Sequence, residues 1–120
     1  MRVLAGVIAG LLVGASALAG EASVLSAGAT PAADGTWRFD VTVRHDDTGW
    51  DHYADRWEVV APDGTVLGTR VLAHPHVDEQ PFKRSLSGVT IPDGITQVKI
   101  RAHDKVHGHG GYEMTVDLPR

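Results

Sequence analysis

Beyond its first nineteen residues, this sequence predicts an all-β domain built from two facing antiparallel sheets. Three observations carry that expectation. Apolar residues alternate with polar ones instead of recurring at helical spacing. The alternating runs are short and separated by clusters of glycine, proline and aspartate. Three of those separators are centred on Asp-Gly, at 32–36, 62–64 and 91–95, where glycine accepts positive φ without steric cost.

The elements follow in order. ASVLSAGAT reads as a weak strand at a sheet edge. TWRFDVTVRH is the clearest run, with Trp37, Phe39, Val41 and Val43 on one face and Arg38, Asp40, Thr42 and Arg44 on the other. ADRWEVVA places Trp57 and Val59 in phase, and TVLGTRVL follows it. PFKRSLSG carries Phe82 and Leu86 in phase, with Arg84 sharing their face. TQVKIRAH turns Val98, Ile100 and Ala102 inward, and GYEMTVDL closes the domain. The first two Asp-Gly turns reverse the chain between neighbouring strands, and the third resembles a connection that carries the chain across to the other sheet. Seven short strands in about a hundred residues predict a seven-stranded antiparallel β-sandwich of the immunoglobulin or fibronectin type III kind.

The segment before the strands, MRVLAGVIAGLLVGASALAG, reads as a secretory signal peptide. Arg2 supplies the positive start, Val3 to Val13 the apolar run, and Ala17-Leu18-Ala19 the small-residue cleavage site. The run is short for a membrane span. The expected organisation is a signal peptide over 1–19 and one domain over 20–120, periplasmic or secreted. No cysteine occurs, which excludes lipid attachment through an N-terminal cysteine and leaves the domain without disulfides. The formal charge is −4, and loss of Arg2 makes the exported chain one charge more negative. Nucleic acid and anionic membranes attract basic surfaces, so neither is an expected partner.

The strand order resembles a fibronectin-type sandwich across 20–120. The blocks GWDHYADRWEV, HPHVDEQPF and AHDKVHGHGG resemble those of small, uncharacterised secreted bacterial proteins. That resemblance implies an exported sandwich and carries no residue roles.

Topology says where the seven histidines go. Successive connections in an antiparallel sandwich alternate between its ends, so the three Asp-Gly turns share one end. The other three connections share the opposite end. They are HDDTGWDHY with His45 and His52, AHPHVDEQ with His74 and His76, and HDKVHGHGG with His103, His107 and His109. Asp46, Asp47, Asp51, Asp78, Glu79 and Asp104 lie in the same three loops. Long loops on a rigid scaffold are where binding functions concentrate.

Imidazole with carboxylate suits zinc, copper(II) and nickel. The expected metal ligands are His52, His74, His76, His103, His107 and His109. His45 shares strand parity with Trp37 through Val43 and reads as a plug for the sandwich end, while His103 points away from the core. Trp50 and Tyr53 read as a lid over the core. Calcium is disfavoured because DDTGWDHYAD lacks the calcium-loop order. Copper(I) is disfavoured because cysteine is absent and Met114 alone supplies thioether sulfur beyond the leader. Hydrolase motifs such as G-x-S-x-G and H-E-x-x-H are missing, so an enzyme is the disfavoured class and no catalytic residue is expected. The leading expectation is capture, delivery or sensing of copper or zinc. The alternative is a metal-free module whose loop end binds a protein or glycan partner.

Overall fold

The inward residues of TWRFDVTVRH set the centre of the structure, a computed structural model that describes residues 20–120. The predicted signal peptide lies outside the described residues. Seven strands form: β1 (Ser23–Pro31), β2 (Trp37–Arg44), β3 (Ala54–Val60), β4 (Val66–Val71), β5 (Phe82–Val89), β6 (Gln97–Asp104) and β7 (Met114–Asp117). They make two antiparallel sheets, one ordered β1-β2-β5 and the other β4-β3-β6-β7. No helix occurs among the described residues, and so none there is long and apolar enough to cross a membrane.

The two sheets enclose one core. Trp37, Phe39, Val41 and Val43 of β2 meet Trp57 and Val59 of β3 and Val98, Ile100 and Ala102 of β6, with Phe82 and Val89 from β5. Register keeps these rows in phase, pairing Trp57 with Ala102 and Val59 with Ile100. Each such side chain contributes roughly 1.5–3 kcal/mol on burial before chain entropy is counted. The sequence therefore marked the core correctly, apart from Leu86, which is only partly buried against it.

The Asp-Gly turns act as expected. Gly35, Gly64 and Gly94 all have positive φ, near 90°. The first two close the β1–β2 and β3–β4 hairpins, and the third lies between β5 and β6, which belong to different sheets. β1 lies at the edge of the three-stranded sheet.

What positions the site is the way two inward rows end. The β2 row continues past Val43 to His45, which is 2% exposed, and the β6 row continues past Ala102 to Asp104, which is fully buried. Side chains two apart on a strand share a face. At this end of the core, the apolar rows of both sheets therefore finish in polar groups.

Candidate metal centre

Asp47 organises one side of the cluster. Its Oδ1 lies 2.5 Å from His45 Nδ1 and accepts the Ala54 N–H at 3.0 Å, while Oδ2 accepts the His76 N–H at 2.7 Å. A carboxylate only accepts, so His45 Nδ1 must carry the proton. That leaves the Nε2 lone pair of a neutral His45 ring facing inward, the orientation that a carboxylate partner imposes on metal-binding histidines. Gln80 fixes the same corner, accepting the His45 N–H at 3.0 Å and donating to the His76 carbonyl at 3.0 Å.

His52 arrives from the β2–β3 loop. A tight turn holds it, with the Thr48 N–H donated to the His52 carbonyl at 3.0 Å and the His52 N–H to the Gly49 carbonyl at 3.2 Å. Its Nε2 lies 3.2 Å from His45 Nε2, the two rings meeting edge to face at 4.7 Å.

Asp104 comes from the end of β6. Its Oδ1 accepts the N–H groups of Val106 at 2.8 Å and His107 at 2.7 Å, and lies 3.2 Å from His52 Nε2. Its Oδ2 is buried, has no hydrogen-bond partner among the described residues, and lies 3.9 Å from His45 Nε2. Burial alone would raise the Asp104 pKa, but the backbone amides of His107 and Val106 that donate to it hold it below the usual value. Asp104 is therefore a carboxylate at neutral pH. His107 stands beside it, Nδ1 3.3 Å from Oδ1, with its ring centroid 5.0 Å from that of His52.

These contacts leave too few protons. With neutral rings, His45 Nε2 is an acceptor, the Asp104 carboxylate is an acceptor, and the carbonyl of Gly20 lies 3.2 Å and 3.3 Å from the two Nε2 atoms. The single proton that His52 Nε2 can carry cannot serve all of them. A buried polar atom left unpaired costs about 1–3 kcal/mol. A cation at the centre removes the conflict. Tetrahedral zinc with bonds of about 2.0–2.1 Å needs neighbouring donor atoms roughly 3.3 Å apart. The 3.2 Å separations of His45 Nε2 from His52 Nε2 and of His52 Nε2 from Asp104 Oδ1 fit that spacing, while Asp104 Oδ2 stands farther off, 3.9 Å from His45 Nε2. His45, His52 and Asp104 thus form a cluster that can hold a metal ion.

The other sequence candidates fall into two further groups. His74 and His76 have rings 4.7 Å apart, and His76 is stacked flat on Phe82 at 4.1 Å, so it serves the core and, through its N–H, Asp47. Burial, then the positive charge of Arg84, lowers the His76 pKa. His103 and His109 lie together 4.8 Å apart beside the second sheet's charged residues. There His103 Nδ1 lies 2.6 Å from Asp55, and Glu58 accepts from Arg56 at 2.9 Å and Arg101 at 2.7 Å, with His109 Nε2 at 3.1 Å. The six candidates named from sequence are therefore divided: His52 and His107 at the first cluster, His74 and His76 at Phe82, His103 and His109 at Glu58.

His45 and Asp104, which this cluster brings together with His52, were not among the six candidates named from sequence. Strand parity was the available signal: it turned His45 inward, and extended by one more pair from Ala102 it does the same for Asp104. The lid assigned to Trp50 is corrected. Trp50 sits at the tip of the Thr48–His52 turn, is 64% exposed, and meets only the edge of Tyr53 at 5.6 Å. The buried polar cluster takes the place at the core's end that the lid was to fill.

The arrangement defines a small all-β domain with a buried histidine–carboxylate cluster at one end. The chain is 43% identical over 97 residues to a protein of Halomicrobium mukohataei named "Putative lipoprotein". The match covers 81% of this chain and 47% of that protein, so the chain spans about half the length of the curated relative it matches. No protein-family profile and no solved structure matches the chain.

Proposed function

We propose that this is an exported metal-binding domain that captures, delivers or senses a divalent ion, zinc or copper(II), through His45, His52 and Asp104, with His107 alongside. One observation carries the reading: the ring nitrogens of His45 and His52 converge with the Asp104 carboxylate, whose buried Oδ2 is unpartnered among the described residues. Two imidazoles and a carboxylate suit these borderline cations. The strand orders β1-β2-β5 and β4-β3-β6-β7 support a fibronectin type III-like sandwich, since they correspond to A-B-E and C′-C-F-G in that fold. Export, with cleavage after Ala19 and a mature domain over 20–120, is supported by the leader-like start and fits the lipoprotein name of the relative.

The test is elemental analysis of the purified protein, followed by titration of chelator-treated protein with zinc and with copper(II). One ion per chain is expected, and Asp104→Asn with His52→Ala should abolish it. Absence of binding by the parent would leave the metal-free module as the better reading. That second reading has its own support: Trp50, Val77, Val106 and Tyr112, one or more from each of the three histidine-bearing loops, are exposed apolar side chains fit to contact a protein or glycan.

A further inference from the structure

The side-chain cluster leaves one short contact unexplained. The Gly20 carbonyl oxygen lies 3.2 Å from His45 Nε2 and 3.3 Å from His52 Nε2, the same spacing as the two nitrogens from each other. Three donor atoms thus form a nearly equilateral triangle whose edges match those of a tetrahedral site, with Asp104 Oδ1 3.2 Å from one corner. No hydrogen-bond scheme with neutral rings satisfies the carbonyl, both nitrogens and the carboxylate together.

The chain is shaped to bring Gly20 there. A Cβ on Gly110 would collide with the Glu21 carboxylate, and one on Gly111 with the Ala22 carbonyl, so the two glycines let residues 21–22 lie directly against the β6–β7 loop. The Val24 N–H donates to the Tyr112 carbonyl at 2.9 Å and the Tyr112 N–H to Ser23 Oγ at 3.1 Å, which pins the segment. At Gly20 itself a Cβ would stand 2.9 Å from His107 Nε2. Residue 20 is held between His107 and the His45–His52 pair.

We infer that Gly20 is a ligand of the metal and that removal of the leader turns it into a chelating one. The inference rests on the metal reading above. Hydrolysis of the Ala19–Gly20 bond by a leader-removing peptidase adds water, leaving a carboxylate on Ala19 and a free amine on Gly20. The amine nitrogen and carbonyl oxygen of one glycine close a five-membered ring with a metal. The amine ordinarily titrates near 7.7–8.0, so a metal displaces its proton easily at neutral pH. Two imidazole nitrogens, an amine nitrogen and oxygen donors make the mixed set that suits copper(II). The site is then complete only in the exported, processed chain, and the unprocessed chain is a weaker binder.

Three forms separate this from the metal reading itself: the full chain with its leader retained, residues 20–120 with a free amine, and residues 20–120 acetylated on Gly20. Among the described residues the hydrophobic core runs from Ala22 to Leu118, and a cooperative melt of each form checks that it folds. Copper(II) and zinc affinities are measured by competition with a chelator, and the copper(II) forms by electron paramagnetic resonance. The free-amine form should bind copper(II) at least about 10–100-fold more tightly than the other two, the loss that removal of even an outer-shell partner brings. Its spectrum should show one more nitrogen donor than that of the acetylated form. Equal affinities and identical spectra for all three overturn the role of Gly20 while leaving the side-chain site intact. Absence of binding by any form overturns the metal reading as well.

Discussion

Two pairs of histidines in this protein look alike and are chemically opposite. His45 with His52, and His103 with His109, each meet edge to face at 4.7–4.8 Å, and each pair has a buried carboxylate within reach. At Glu58 the carboxylate is already neutralised. Arg56 and Arg101 both donate to it, and although burial would raise its pKa, those two guanidinium groups and His109 hold it low. At Asp104 no lysine or arginine arrives from the described residues. Backbone amides satisfy Oδ1, and Oδ2 is left bare. The difference shows that adjacent histidines do not make a metal site by themselves. What matters is whether positive charge is already present among the lone pairs.

The largest expected effect comes from removing the first cluster. Without metal, a His45→Ala, His52→Ala variant should keep the strand spectrum, because the core rows above it are independent of both rings. With zinc or copper(II) at a hundredfold excess over the dissociation constant, the parent should gain about 2.7 kcal/mol and the variant nothing. The matching His103→Ala, His109→Ala variant should gain as much as the parent. Thermal melts with and without metal read all three, and equal loss in both variants would erase the distinction between the pairs. Protons compete with the metal for the ring nitrogens, so the gain should shrink as pH falls.

A smaller effect is expected from stripping the second cluster of its cations. Arg101→Ala leaves Glu58 with one guanidinium fewer, and the loss of a partly exposed, charge-assisted hydrogen bond should cost about 1–2 kcal/mol. Glu58 should then titrate closer to the ordinary glutamate range, measurable by carboxyl nuclear magnetic resonance. If the double variant Arg56→Ala, Arg101→Ala acquired zinc binding that His103→Ala removes, the charge argument would be sharpened into a rule for this fold. Retention of the parent's Glu58 titration would break it.

The sequence disclosed the strands, the hairpin turns and the end of the molecule that collects the histidines, since alternation and Asp-Gly chemistry are local signals. The joining of two of the three loops is visible in Asp47, which lies with His45 between β2 and β3 and accepts from the backbone of His76 between β4 and β5. Which histidines meet was not legible. Once the chain leaves a strand, parity no longer says which way a loop side chain turns, so His74 and His109 could not be separated from His52 and His107, whereas parity did turn His103, inside β6, away from the core. The pairing of Glu58 with Arg101 depends on the β3–β6 register, a long-range property. His45 and Asp104 were accessible through parity, since each continues an inward row just past its last apolar residue, where strand gives way to loop. The Gly20 contact had no sequence signal beyond the glycines at 110 and 111.

The smallest expected effect concerns His76, which stacks on Phe82 and donates its N–H to Asp47 beside the first cluster. His76 is held neutral, its pKa lowered first by burial and then by the charge of Arg84, while Glu79 and Asp47 act weakly the other way. The unfolded chain therefore takes up the proton first as pH falls below about 6.5, and the folded form follows only at lower pH. Between those two points the unfolded state holds more protons, so stability falls with falling pH and levels off once the folded form is protonated too. At neutral pH the contribution is fully present. In chelator, which removes competition at the first cluster, the parent's stability should decline across this window and His76→Leu should decline less, since leucine keeps an apolar contact with Phe82 but cannot titrate. His109 is shifted in the same direction, by burial and then Arg101, so a residual decline should remain in His76→Leu and diminish further with His109→Gln. Urea titrations at stepped pH measure it. Parallel profiles for parent and both variants would show that neither ring is held neutral, and the contrast between cation-filled and cation-free histidine sites would lose its electrostatic basis.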